Sequence, residues 1–405
     1  MARLTGRRIV LGITGSISAY KAAEVVRGLI QEEADVRVTM TKEAMHFIGP
    51  MTFTALTGHP VAIEQFPPHG QPGEEHIDLT IWADVIAVVP ATGNIIGKMA
   101  NGLADDLLST VLLACDVPCC LAPAMNFRML GNPAVQANMD VLRNRGYHII
   151  ESAYGPLANG EIGEGRLADP DQIVEAIAIL ADSRRDLAGR RVLISAGPTV
   201  EPIDPVRFIT NRSSGKMGFS MARMAAQRGA SVTLITGPTN QPDPYGVTVE
   251  RVKSAEDMHQ TVFHHLDGQD AVIMVAAVAD YRPKQTADHK IKKGASTLIL
   301  EMERTRDILK EIAQNKPPVL VGFAVETHEG LQYAKQKLID KNLDLIVYND
   351  ITVEGAGFDV DTNIVTLLHR DGREEVLPKQ LKIEIADRIM DEVVALLHTQ
   401  ETVLS

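Results

Sequence analysis

Short, almost unbroken apolar runs recur along the chain, and stretches with a helical period separate them. Arg8–Ile13 is the first such run, and its lack of polar alternation predicts a strand buried on both faces. Ser16 then reads as a helix cap, with Ala19, Ala22, Ala23, Val26, Leu29 and Ile30 falling on one helical face. The same pattern predicts strands over 36–40, 85–89, 117–121 and 147–150. Helical stretches are predicted over 94–114 and 132–145, the second closed by Gly146. Strands that alternate with helices in this way predict a doubly wound parallel sheet with right-handed crossovers.

The pattern breaks over 151–170, where Gly155, Pro156, Gly160, Gly163, Gly165 and Pro170 leave little periodicity. A long Gly-rich segment inside a compact domain predicts a flap or a linker rather than a regular element. A helix follows over 173–180, and the charged stretch 182–189 reads as a domain connection. From Arg190 a second α/β pattern begins. Strands are predicted over 191–195, 231–235, 272–276, 319–323 and 344–347, and helices over 217–227, 330–340 and 381–397. The expected fold class is therefore α/β, as two tandem Rossmann-like doubly wound parallel-sheet domains covering 1–189 and 190–405. Open sheets of this kind bind ligands beyond the carboxyl ends of their strands, which directs attention to the segments just after each strand.

The length of 405 residues agrees with more than one core. A formal net charge of −12 argues against nucleic acid or an anionic membrane as the main partner, while leaving room for phosphate bound by a local cluster of donors. The cysteines Cys115, Cys119 and Cys120 lie too close together for a disulfide framework and lack zinc spacing, so a reducing, cytoplasmic setting is expected. Arg3, Arg7 and Arg8 precede an apolar run, but that run is too short for a signal peptide and ends in a Gly-rich turn.

After the first predicted strand come Gly12, Ile13, Thr14, Gly15, Ser16, Ile17 and Ser18. A tight turn with hydroxyls at a helix start favours a phosphate. Thr41 follows the second strand at the same end of the sheet. Further on stand Glu75-His76-Ile77-Asp78-Leu79, the run from Pro90, Ala91, Thr92 and Asn94 through Lys98 to Ala104-Asp105-Asp106-Leu107 and Ser109, and Pro123-Ala124-Met125-Asn126. Together these segments resemble the flavin-dependent cysteine decarboxylase family, a flavodoxin-like fold that binds FMN. The resemblance implies that Gly15, Ser16, Ile17, Thr41, Thr92, Asn94 and Ser109 contact FMN, that His76 is a base, and that Asn126 holds the substrate carboxylate.

The implied chemistry suits these residue types. An amino-acid-derived carboxylate loses CO2 only once an electron sink stands β to it, and oxidising the thiol to a thioaldehyde creates one. That hydride transfer is cofactor chemistry. A histidine takes a proton near neutral pH, and an asparagine holds a carboxylate without the charge that would trap it in the ground state. In the flap the coenzyme A branch carries a catalytic Cys, where this chain has Asn159, within Leu157-Ala158-Asn159-Gly160-Glu161-Ile162-Gly163-Glu164-Gly165-Arg166. An amide does not donate a proton as a thiol does. Either Glu161, Cys119 or Cys120 serves as the acid in its place, or the reaction stops at the enethiol, or the flavin half is inactive.

The second half opens with the long segment Ser195–Gly218, which contains Asn211, Ser213, Ser214, Gly215 and Lys216. Gly-Lys alone hints at a P-loop, but the strand lies too far upstream. The segment resembles phosphopantothenate–cysteine ligase. The resemblance implies that Asn211 contacts the acyl-nucleotide intermediate and that Ser213–Lys216 lie at the substrate phosphate or carboxylate. It places Met274, Val275, Ala276, Asp280, Arg306, Asp307, Ile308, Leu309 and Phe323 around the nucleotide, Lys290 at the phosphates, and Lys337 and Lys341 at the triphosphate of CTP. The last two lie at i and i+4, so both reach one anion. Thr305-Arg306 departs from the Asn-Pro usual in the bacterial family.

In this order the halves resemble the bifunctional decarboxylase–ligase family of coenzyme A biosynthesis. That implies 4′-phosphopantothenate, cysteine, CTP and 4′-phospho-N-pantothenoylcysteine as small-molecule partners. It also implies Mg2+ with the triphosphate and a homo-oligomer, up to a dodecamer. An NAD-dependent oxidoreductase is disfavoured, because no Gly-x-Gly-x-x-Gly follows a strand with an acidic residue downstream.

Overall fold

The computed structural model describes residues 3–66, 75–292, 297–326, 330–350, 357 and 360–404. The chain forms two compact units, Met1–Ser183 and Arg184–Ser405, and their division falls inside the expected connector. Much of that connector belongs to the second unit. Leu187 is fully buried in the second core, and Asp186 binds the guanidinium of Arg228.

The first unit is built on β1 (Arg8–Ile13), β2 (Asp35–Met40), β3 (Val85–Ala91), β4 (Cys119–Pro123) and β5 (His148–Ile149). They form a five-stranded parallel sheet in the order β2-β1-β3-β4-β5, the flavodoxin-like arrangement. β3 and β4 are buried along their whole length, as unbroken apolar runs require. The helical stretch expected over 94–114 is two helices, Gly93–Asn101 and Leu107–Leu113. Gly102 ends the first in the left-handed region, and Asp106 starts the second with a capping box.

The expected loop over 151–170 contains an antiparallel hairpin, β6 (Ala153–Pro156) and β7 (Ile162–Arg166). Its glycines conceal the strand period. Gly165 shows why they are there: its φ is +112°, and a Cβ would lie 2.1 Å from the Met125 carbonyl. Met125 N–H donates to the Gly165 carbonyl at 3.0 Å, so the hairpin is fastened to the segment after β4.

The second unit adds β8 (Arg191–Ala196), a small ribbon of β9 (Val200–Pro202) and β10 (Phe208–Thr210), then β11 (Ser231–Thr236), β12 (Val247–Arg251) and β13 (Ala271–Met274). A second ribbon, β14 (Tyr281–Pro283) with β15 (Met302–Arg304), precedes β16 (Val319–Glu326), β17 (Leu345–Asp350), β18 (Thr362–His369) and β19 (Glu374–Leu381). The main sheet runs β12-β11-β8-β13-β16-β17-β18-β19. Its first part has the order of a dinucleotide-binding fold, with strand order reversing between β8 and β13. β18 and β19 are antiparallel, an addition the sequence reading did not make. The helix Lys216–Gln227 packs against β8, and a Cβ at Gly218 would meet that of Ala196 at 2.5 Å.

Candidate active sites

In the first unit a cavity of about 660 Å3 opens at the carboxyl ends of β1 and β4. Ser16, Ile17, Ser18 and Lys21 line it from the turn after β1, Met125 and Asn126 from the segment after β4, and Leu157, Asn159 and Arg166 from the flap hairpin. The structure thus brings Ser16, Ile17, Asn126 and Asn159 together, with Gly15 in the adjoining turn.

The other expected flavin contacts are not among the cavity's described lining residues. Thr41 Oγ1 accepts from Ala44 N–H and Thr92 Oγ1 from Ile95 N–H, so both hydroxyls support local turns. Ser109 Oγ donates to Asp106 Oδ1 at 2.9 Å within the capping box. Lys98 bridges Asp105 and Asp106 at 2.5 and 2.7 Å. Much of this motif therefore holds the junction between two helices. Asn94 is exposed. His76 lies on the helix Glu75–Trp82, outside the described lining of the cavity, and its buried Nδ1 has no hydrogen-bond partner among the described residues.

The flap carries an ordered polar cluster. Asn126 Oδ1 accepts from Arg128 N–H at 2.9 Å, and Asn159 Oδ1 accepts from Glu161 N–H at 3.2 Å. Both Nδ2 groups then donate to Glu161 Oε2, from Asn126 at 3.5 Å and from Asn159 at 2.6 Å. Arg128 Nη2 donates to Glu161 Oε1 at 2.7 Å. The Asn159 bond, with Asn126 and the Arg128 charge, holds the Glu161 carboxyl below the usual carboxylate range. Glu161 is thus an ionised acceptor at neutral pH rather than an acid. The thiols are no better placed. Cys119 and Cys120 are buried in β4 and are not among the cavity's described lining residues. The hydrogen bond with Cys115, together with burial, raises Cys119, and burial pushes Cys120 up to about 12.

In the second unit two cavities of about 470 and 490 Å3 lie beyond β8, β13 and β16. The first is lined by Met274, Ala276, Asp280, Arg306, Asp307, Ile308, Leu309, Phe323, Lys337 and Lys341. The second takes Asn211, Ser213, Ser214, Gly215, Lys216 and Val275. Ala276, Val278, Asp280, Phe323 and Lys337 line both, so the two form one cleft at the reversal point of the sheet. Asn211 Nδ2 donates to the Val278 carbonyl at 3.0 Å, and Lys337 Nζ to the Phe323 carbonyl at 2.9 Å. Thr305 Oγ1 donates to the Ala279 carbonyl at 2.6 Å, which fixes the departing Thr305-Arg306 pair beside the cleft.

Lys290 is exposed and lies outside both cavities, on a segment anchored by Ile291 N–H to Asp204 Oδ2 at 3.1 Å. Among the lining residues that sequence reasoning missed are Asn349, Asn363 and Lys382. Asn349 is 7% exposed, and its buried Oδ1 has no hydrogen-bond partner among the described residues. Asn363 lines the same cavity, as does Lys382, whose Nζ donates to the Gly357 and Val360 carbonyls. None of the three stands in a motif that the sequence singles out. His369, Glu375 and Glu392 cluster outside the described lining of these cavities, but the guanidiniums of Arg388 and Arg373 already serve their carboxylates.

Residues 2–181 match the Flavoprotein family, and residues 187–397 match the DNA/pantothenate metabolism flavoprotein C-terminal domain. The chain is 46% identical over 397 residues to the coenzyme A biosynthesis bifunctional protein CoaBC of Bacillus subtilis, covering 97% of this chain and 98% of that one. The chain belongs to the bifunctional coenzyme A biosynthesis family. The CoaBC protein of Escherichia coli K12 is 43% identical over 396 residues, covering 96% of this chain and 97% of its own. A crystal structure of the C-terminal domain of a CoaBC protein is 44% identical, with a TM-score of 0.46, and covers 53% of this chain and 99% of that one. Among the described residues no helix is long and apolar enough to cross a membrane.

Proposed function

We propose that this chain joins 4′-phosphopantothenate to cysteine with CTP and then decarboxylates the product, 4′-phospho-N-pantothenoylcysteine, to 4′-phosphopantetheine. The near-full-length kinship to bifunctional relatives carries the reading. The cavities beyond the strand ends of each unit support it.

In the ligase unit a free carboxylate attacks the α-phosphate of CTP and expels pyrophosphate. The cysteine amine then displaces CMP, a far better leaving group than hydroxide. Lys337 and Lys341 meet the triphosphate, Phe323 and the ends of β13 and β16 take the base, and Asn211 holds the acyl phosphate. Lys290 closes on the phosphates from its anchored segment. Mg2+ enters with the triphosphate. Asp280 has no ion-pair partner among the described residues and lines both cavities, so its carboxylate suits that ion.

In the flavin unit the residues fit FMN. Ser16, Ser18 and Lys21 offer hydroxyls and an ammonium to a phosphate, and Ile17, Met125 and Leu157 offer apolar surface to a ring. When bound, FMN supplies the hydride acceptor that converts the substrate thiol to a thioaldehyde. Asn126 orients the carboxylate, and His76 accepts the proton. His76 lies away from its own cavity, and Met51, Ile81 and Leu113 expose large apolar side chains, so assembly into a homo-oligomer that lends His76 to a neighbour belongs to the same proposal.

Incubating the protein with CTP, cysteine and 4′-phosphopantothenate tests the reading. Pyrophosphate and CO2 should both appear, and a preparation that releases neither refutes it. Asn159, ionised Glu161 and the buried thiols favour a second reading, in which the flavin unit stops at the enethiol. Product mass separates enethiol from saturated aminothiol.

A further inference from the structure

We infer that Asn159 is a second carboxylate-binding residue beside Asn126, and that the Glu161 carboxylate occupies the paired amides until substrate displaces it. The inference rests on the decarboxylase reading of the first unit. It concerns what the flap asparagine does, having lost the acid chemistry of a thiol.

Each amide is oriented by its own backbone. The Oδ1 atoms of Asn126 and Asn159 accept from the N–H two residues ahead, at 2.9 and 3.2 Å. This Asx geometry assigns oxygen to the turn and leaves Nδ2 to point outward as a donor. The turns lie on different elements, one after β4 and one in the flap hairpin, yet both Nδ2 groups reach the same oxygen, Glu161 Oε2. Both asparagines line the 660 Å3 cavity. The fold therefore already holds a carboxylate between two amides that line the cavity where a substrate carboxylate is expected.

The chemistry of that pocket suits a leaving CO2. Two neutral amides satisfy the carboxylate oxygens without the strong attraction that a buried cation would exert on the ground state. The cation paired with Glu161, Arg128, has a side chain 72% exposed, so solvent screens it. Glu161 is half-buried and sits in the turn that joins β6 to β7, so it gives up its place by rotating outward. Substrate binding exchanges one carboxylate for another. A thiol at position 159 provides no such donor.

Calorimetry on the full-length protein tests this without turnover. One ligand is 4′-phospho-N-pantothenoylserine, whose hydroxyl in place of the thiol blocks oxidation; the other is its decarboxylated ethanolamine counterpart. Asn159→Ala should weaken the acid about tenfold, the loss of a hydrogen bond to a charged group, and leave the ethanolamine ligand unchanged. Asn159→Asp should weaken the acid further. Glu161→Ala should tighten the acid several-fold and leave the other ligand alone. Equal effects of Asn159→Ala on both ligands, or none on either, overturn the inference, as does weaker acid binding by Glu161→Ala. Wild-type protein that neither prefers the acid nor releases CO2 from the thiol substrate overturns the decarboxylase reading itself.

Discussion

Lys341 Nζ lies 2.8 and 2.7 Å from the two carboxylate oxygens of Asp307, on the wall of the cavity assigned to the nucleotide. Asp307 also caps the helix Ile308–Ile312 by accepting from Lys310 N–H at 3.1 Å. Burial alone raises its pKa, but the Lys341 ammonium and the Lys310 N–H more than offset this and hold it below the usual range. Lys341→Gln should raise the KM for CTP about tenfold and change kcat less, since a charged hydrogen bond to phosphate is lost. Its cost in stability should stay under about 1 kcal/mol, because the pair is partly exposed. Pyrophosphate release at varied CTP checks the first point, and thermal melts check the second. An unchanged KM refutes the assignment.

Asp204 anchors the segment that carries Lys290. Its Oδ1 accepts from the Val206 and Arg207 N–H groups at 2.8 Å each, and its Oδ2 from Ile291 N–H. Burial raises its pKa, and these backbone donors outweigh that and lower it. A lowered carboxylate pKa means the anchor stands at full strength above the ordinary value of about 3.9 and is lost only as pH falls through the folded value. Ligase activity near neutrality should therefore not report Asp204. Asp204→Asn should lower kcat between about ten- and a hundredfold through misplacement of Lys290, with little change in the KM for CTP. A KM effect with kcat intact contradicts it.

Arg228 is 2% exposed and serves Asp186 through Nε and Nη2 at 2.9 and 2.6 Å, and Asp391 through Nη1 at 2.7 Å. Replacing one partner of such a network strands the others. Arg228→Met should destabilise the second unit by about 3–5 kcal/mol. Chemical denaturation followed alongside ligase activity measures this, and a loss below about 1 kcal/mol refutes the role.

His369 is 4% exposed, between β18 and the helix Lys382–Leu404. Burial lowers its pKa and the Arg373 charge assists, against Glu392, Asp371 and Glu375. A histidine with a depressed pKa binds fewer protons folded than unfolded, so stability rises with pH between the folded value and about 6.5. The melting temperature of the second unit should fall as pH drops below about 6.5, and His369→Gln should flatten that slope. An unchanged slope in the variant refutes the linkage.

The parallel strands buried on both faces were legible because they leave unbroken apolar runs, and the helix Gly330–Asp340 was read to the residue, whereas the half-exposed parallel edge strand Val247–Arg251 was not read. The edge hairpin β18–β19 was not. Thr362–His369 mixes polar and apolar positions, and only pairing with β17 decides that it is a strand. The flap hairpin was hidden because its glycines answer to Met125 and Phe127 rather than to a strand period. Of the sites, Ser16, Asn126 and Asn159 were legible through motifs and now line one cavity. Ser109 belongs to an equally distinctive motif, and in the structure its hydroxyl takes part in the capping box with Asp106. Asn349 and Asn363 lie on strands and line a cavity through tertiary placement, with no motif around them.

Ala276, Val278, Asp280, Phe323 and Lys337 form a partition with one face toward each of the second unit's paired cavities. A guest on one side rests against the same side chains as a guest on the other. In the proposed reaction an anhydride assembled there would span both rooms through a common doorway, and its acyl half would meet the amine without passing through solvent. Saturation curves for triphosphate and acid should therefore shift with each other's concentration.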